Sequence, residues 1–308
     1  MTTIPSDTSN NLTNSPQTFE IPVNPRPISV AFSKDEKRAF VCHDNDEGDV
    51  SVIDVESSTV VEVIKIGRKV RAIAVSPDDK RIVVCNQGEV WVIDAGTLVA
   101  TKVEEDVGAD VSVEFSPDGG LLYFARLSAP QFVVLNGKSL IPEHSIWNAA
   151  SPKAIAVSPN KPKVYFAVEN KAAVDVFDVD AREIVKSIKV GVGPFDVALT
   201  RDGRYLCVCN YEDSSVSFID TETEAVIKAV PVGNWPVAVT PSSDGRYMFV
   251  ALNSVNKVTV IDVETFEEVR RFFVGSSPFD IAATAKSVIY TANLGSNSVS
   301  VVSLASGQ

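Results

Sequence analysis

The segments SVIDV, VWVIDA, FVVLNG, DVFDV, SFIDT, TVIDV and SVVSL recur along the whole chain. Their marker residues are Asp54, Asp94, Asn136, Asp178, Asp220, Asp262 and Ser303, in steps of 40, 42, 42, 42, 42 and 41. An interval this even is the signature of a repeat architecture. Each unit is too small to bury its own apolar faces, so neighbours must stack into one continuous core.

The fifth unit shows what a unit is. PFDVALT (194–200) reads as a first strand, and Arg201-Asp202-Gly203 as a tight turn. YLCVCN (205–210), VSFID (216–220) and AVIKAVPV (225–232) then read as the second, third and fourth strands. Turn signals recur at Ser76-Pro77-Asp78, Ser116-Pro117-Asp118-Gly119, Ser158-Pro159-Asn160 and Asp244-Gly245. β-branched residues dominate, and no amphipathic helix of useful length is present, which excludes the helical solenoids. Four antiparallel strands every forty-odd residues predict an all-β fold, a seven-bladed β-propeller.

The last unit supplies only three strands, ending at Ser303-Leu304. Residues 18–27, TFEIPVNPRP, match the fourth strand and connector of unit five, AVPVGNWP (229–236). The N-terminal strand, residues 18–23, is therefore expected to complete the last blade. Closure in this way removes the open sheet edge of the ring. Residues 18–304 then form a single propeller domain. MTTIPSDTSNNLTNSPQ, residues 1–17, is read as a disordered tail for want of apolar content, and 305–308 as a short C-terminal tail.

The stretch VGVGPFDVALTRDGRYLCVCNYEDSSVSFIDTETEAVIKAV resembles the YVTN-type propeller repeat, a family of surface-layer-like and lactonase-like propellers. In that repeat a Val-Gly-x-x-Pro connector precedes the inner strand. Asp-Gly, a second strand ending in Asn, and an Ile-Asp-x-x-Thr third strand follow. The resemblance spans residues 18–304 and is strongest in units five to seven. Unit three departs most, with Arg126-Leu127-Ser128-Ala129-Pro130 for the usual polar loop and Asn136 for Asp. What the resemblance implies is a fold. No catalytic residue is carried across, because the repeat motif is structural.

Net charge is −12 with no basic run, which argues against a nucleic-acid partner. No apolar stretch is long enough to span a bilayer, and the start of the chain does not read as a secretory signal. Cys42, Cys85, Cys207 and Cys209 read as buried free thiols, which points to a reducing cytoplasm. No motif calls for a cofactor. Asp44, Asp46 and Gly48 sit in an acidic loop, but the spacing is not that of an EF-hand, and no metal site is expected.

In a propeller the first strand of each blade lines the central channel, and its starting end opens at a mouth where ligands enter. The starting residues are Pro27, Val70, Asp110, Pro152, Pro194, Pro236 and Pro278. Two places on stand Ser29, Ala72, Ser112, Ala154, Asp196, Ala238 and Asp280; four places on, all are small or neutral except Glu114. Glu114, Asp196 and Asp280 break the rule of small neutral residues near a crowded axis. They are either tolerated variants whose carboxylates accept backbone N–H groups, or acid–base residues with raised pKa values. One place on from the start, Arg71 and Lys153 flank the unit of Asp110 and Glu114, whereas Phe195 and Phe279, with Trp235 nearby, form an aromatic sector. His43, at the head of the acidic loop, is the better placed of two imidazoles, the other being His144.

These residues support two expectations. One is a non-catalytic binding scaffold, a monomer that holds a small molecule or protein partner at the channel mouth. The other is an enzyme, a lyase, isomerase, cyclase or lactone hydrolase. There Glu114, Asp196, Asp280 and His43 act as acid or base, while Arg71, Asp110, Lys153, Phe195, Trp235 and Phe279 bind the ligand.

Overall fold

The computed structural model describes residues 16–86, 88–103, 112–126, 131–147 and 152–304. Its strands, numbered β1 to β28 along the chain, form seven four-stranded antiparallel sheets. Blades 1 to 6 take four consecutive strands each, from β2 (Pro27–Phe32) through β25 (Glu267–Phe273). Blade 7 takes β26 (Pro278–Ala283), β27 (Val288–Asn293), β28 (Ser298–Ser303) and then β1 (Gln17–Pro22), so the chain's first strand is its outermost. β1 pairs with β28, setting Thr18 against Val302 and Ile21 against Val299. The closing strand thus begins one residue sooner than expected, because Gln17 already pairs with Ser303. Val23 extends the ladder by donating its N–H to the Asn297 carbonyl at 3.1 Å. Of the expected tails, 1–17 and 305–308, residues 1–15 and 305–308 lie outside the described residues, while Gln17 belongs to the closing strand.

The repeated residues are those that turn the chain. At one end of the blades, Ser or Thr and the Asp two places on hold the hairpin between first and second strands. Ser33 Oγ donates to Asp35 at 2.7 Å, Ser116 to Asp118 at 2.6 Å and Thr200 to Asp202 at 2.6 Å. At the same end the marker Asp holds the turn between third and fourth strands. Asp220 Oδ1 accepts the N–H groups of Glu222 and Thr223, both at 2.9 Å, and Asp94 Oδ1 takes that of Thr97 at 2.7 Å. Asn136 does the same for Ser139 at 3.1 Å through its amide oxygen. A short side chain that satisfies local backbone donors is what such turns require. Ser303 departs from the marker type because β28 is followed by no such turn.

Between adjacent blades lies one apolar cluster, seven in all among the described residues. The cluster between blades 7 and 1 joins Ile21 of the closing strand to Val30, Val41, Tyr290 and Val301. Ile21 is 4% exposed while the rest of β1 is open, so it is the apolar anchor of the closure. Burying one such side chain contributes roughly 1.5–3 kcal/mol. None of the four cysteines is in a disulfide, and all are fully buried in these clusters and strands, as small apolar residues. Burial pushes the thiols of Cys42, Cys207 and Cys209 well up. No helix among the described residues is long and apolar enough to cross a membrane.

Candidate functional site

Inner strands begin at one face of the ring, and there a cavity of about 380 Å³ sits over the channel axis. All seven blades reach it. The residues two places after each strand start, Ser29 through Asp280, form its floor, and those one place on form its wall in six blades, Val111 lying outside the described residues. Arg71, Lys153, Phe195 and Phe279 stand in that wall, and Asp196 and Asp280 in the floor. Asp110 lies outside the described residues.

The aromatic sector is continuous. Trp235 stacks on Tyr211 at 5.3 Å between centroids, Tyr211 on Phe195 at 5.7 Å, and Phe195 meets Phe279 edge-on at 5.8 Å. Trp235 is 46% exposed and tops the rim, outside the cavity lining. It precedes Pro236 with φ at 61°, a left-handed conformation unfavourable for a bulky residue. Four of the connectors from an outer strand back to the axis take that conformation at this place among the described residues. Gly193 supplies it in blade 5 with φ at 69°, and Ser277 in blade 7 with φ at 52°.

Arg26 holds the same place in blade 1, with φ at 61°, and its guanidinium reaches the opposite side of the mouth. Its Nε donates to the Asp44 carbonyl at 2.8 Å and its Nη2 to Asp44 Oδ2 at 3.1 Å. Arg71 Nε approaches Asp44 Oδ1 only to 3.8 Å and has no hydrogen-bond partner although it is buried. Two guanidinium groups thus share one carboxylate. Lys153 continues the cationic side: its Nζ is 3.3 Å from Glu169 Oε2 and 4.7 Å from the centre of the Phe195 ring. A cationic arc therefore meets an aromatic arc at Lys153 and Phe195.

The floor carboxylates span from blade to blade. Asp196 Oδ2 accepts the N–H of Val239 at 2.8 Å, and Asp280 Oδ2 accepts that of Val30 at 2.8 Å and the Ser29 hydroxyl at 2.9 Å. The channel edge of an inner strand has no ladder partner, and these side chains cap its exposed N–H groups. Enclosure by protein pushes the Asp196 carboxyl up to about 7, with the Asp280 charge adding to it. Burial raises Asp280 as well.

Glu114 and His43 are elsewhere. Glu114 stands two residues further along its strand, below the floor, where its Oε2 accepts the Val157 N–H at 3.3 Å. Burial raises its pKa to about 8, but it does not line the cavity. His43 is fully buried rather than at the mouth: its Nε2 lies 2.9 Å from Ser51 Oγ and 3.9 Å from the buried Asp49. Burial lowers its pKa, and it braces the loop instead of facing a ligand. The side chain of His144 lies outside the described residues.

Arg26, Asp44 and Tyr211 are the residues that sequence reasoning missed. Each follows from the same frame carried to two more places. Arg26, Gly193, Trp235 and Ser277 share the place before the strand start, and their carbonyls accept the N–H of Asp44, Tyr211, Asn253 and Leu294.

Seven four-stranded antiparallel blades define the class of the protein, a seven-bladed β-propeller. The family model described as YNCE-like beta-propeller matches residues 154–288, somewhat under half of the chain. No curated protein matches the chain in sequence. Among solved structures, hydrazine synthase of Kuenenia stuttgartiensis is similar, with a TM-score of 0.80 over 92% of this chain and 97% of that one. The two are 20% identical, so the likeness is one of fold.

Proposed function

We propose that this propeller is a binding scaffold whose mouth holds a small anionic ligand with an aromatic or apolar part. The observation that carries the proposal is the meeting of Arg26, Arg71 and Lys153 with Phe195, Tyr211 and Phe279 around one cavity. Arg71 Nε is buried and unbonded, which leaves a donor for an incoming carboxylate or phosphate. Asp196 and Asp280 use their oxygens to bridge blades, which favours a scaffold role for both. A monomer in the cytoplasm fits buried cysteines that form no disulfide and a ring closed by its own strand.

Calorimetric titration with aromatic carboxylates such as phenylacetate tests the reading. Arg71→Ala and Phe195→Ala should each weaken binding about ten- to a hundredfold, the size of a lost charge-assisted bond or aromatic contact. Unchanged affinity in both variants would remove the mouth as the site.

The second reading, an acid–base enzyme, rests on Asp196, poised at about 7 in the cavity floor. It requires a turnover whose pH profile shifts in Asp196→Asn.

A further inference from the structure

The face opposite the mouth holds a second cavity, of about 290 Å³, in the seam between blades 3 and 4. Six of the seven seams share one plan, the exception being that of blades 6 and 7, because blade 7 takes its fourth strand from the start of the chain. A residue of one blade's second strand faces the left-handed residue of the next blade's turn between third and fourth strands.

In most seams this pair closes the gap. Leu98 packs with Phe40, Leu140 with Val83, and Phe266 in the cluster of Cys207. Phe266 also packs on Phe218 and Tyr205, at 5.0 Å and 5.4 Å. Ser58 hydrogen-bonds Tyr290, and Glu224 holds Lys186 at 3.5 Å, and Lys163 as well, beside Tyr165. The seam of blades 3 and 4 pairs Tyr123 with Arg182, at φ 60°, and there the gap stays open.

Arg182 is exposed and makes no ion pair among the described residues. Its departure uncovers a slot walled by Leu121, Val134, Phe177 and Val179, with the Tyr123 ring at its back. Glu143 and Asp180 stand at the lip, so two carboxylates oppose one guanidinium. Burial pushes the Tyr123 hydroxyl up to about 12, and the negative charges of Asp118 and Glu143 add to it.

We propose that this seam is a second binding site, for a compact aromatic amine whose ring enters the slot left by Arg182 and whose ammonium meets Glu143 and Asp180. Size and charge both select this class. The slot accepts about one ring, because its volume lies at the small end of ligand sites. The two faces then sort ligands by charge, with anions at the mouth and cations at the seam.

Phenethylamine and phenylacetate, alike in shape and opposite in charge, are the probes, titrated calorimetrically into the full chain. Phenethylamine should bind, about two- to fivefold more weakly to Glu143→Gln and with unchanged affinity to Phe195→Ala. Arg182→Phe should abolish amine binding and raise the melting temperature, since Phe266 shows that this place accepts Phe at φ 55°. Full amine affinity in Arg182→Phe, or loss of it in Phe195→Ala, overturns the proposal. So does the absence of any heat with phenethylamine.

Discussion

The two faces of the ring are built by opposite habits. On the turn face blades 1 to 6 repeat the same chemistry, down to the Oδ1 atom of the marker Asp, or of Asn136 in blade 3, that takes the turn's N–H groups. At the mouth, equivalent places carry Arg26, Gly193, Trp235 and Ser277, or Arg71, Lys153, Phe195 and Phe279. Every blade must turn, so the turn residues are held alike. Nothing in the ring's packing asks for a guanidinium at one place and an indole at its equivalent. Differences between repeats mark the places that serve something other than the fold.

The largest effect should come from the turn face. Asp220→Ala deprives Glu222, Thr223 and the Thr223 hydroxyl of their acceptor and should cost about 1–2 kcal/mol, comparable to losing a helix cap. Ser303→Asp should change nothing, since no turn follows it. Denaturant unfolding of both variants checks the contrast, and an equal response would dissolve it.

A smaller effect belongs to the mouth floor and depends on pH. The Asp196 carboxyl is raised from 3.8 to about 7 on folding, so between those values the folded chain keeps a proton that the unfolded chain has lost. Stability contributed by this group is complete below about pH 4 and is lost as pH rises through 7. Asp196→Asn should therefore raise stability at pH 8 by about 1 kcal/mol, less than the full shift implies because the group opens onto the cavity. The gain should vanish at pH 4. A variant that is equally stabilised at both pH values would contradict the protonated carboxyl.

The smallest effect should be Trp235→Gly. Removing a large aromatic from a core costs about 3–5 kcal/mol, yet here the loss of stacking on Tyr211 is offset by relief of the left-handed backbone, about 1 kcal/mol. The melting temperature should hardly move, whereas affinity for aromatic anions falls. A large drop would mean that Trp235 serves folding.

The frame of repeats made the blades, the closing strand and the ring of floor residues legible. Depth and direction were less so. In the second strand the residue at the place of His43 points inward, as Asn210 and Asn293 do, and the next one, Asp44 or Tyr211, faces the mouth. A shift of one residue along a strand exchanges faces, which is why His43 looked like a candidate base and Asp44 did not. Glu114 misled for a related reason: a step of two keeps the face but moves about 7 Å along the channel, out of the cavity. The Asp196 and Asp280 bridges were one of two readings of those carboxylates, because sequence spacing does not say which N–H groups of the next blade lie within reach.

Gln17 and Ser303 are partners at one end of blade 7, and that end belongs to the turn face. The strand that opens the ring and the strand that ends it therefore meet side by side, on the side away from the mouth. Prying that pair apart would unzip the ring from the turn face first, with the mouth the last part of blade 7 to open.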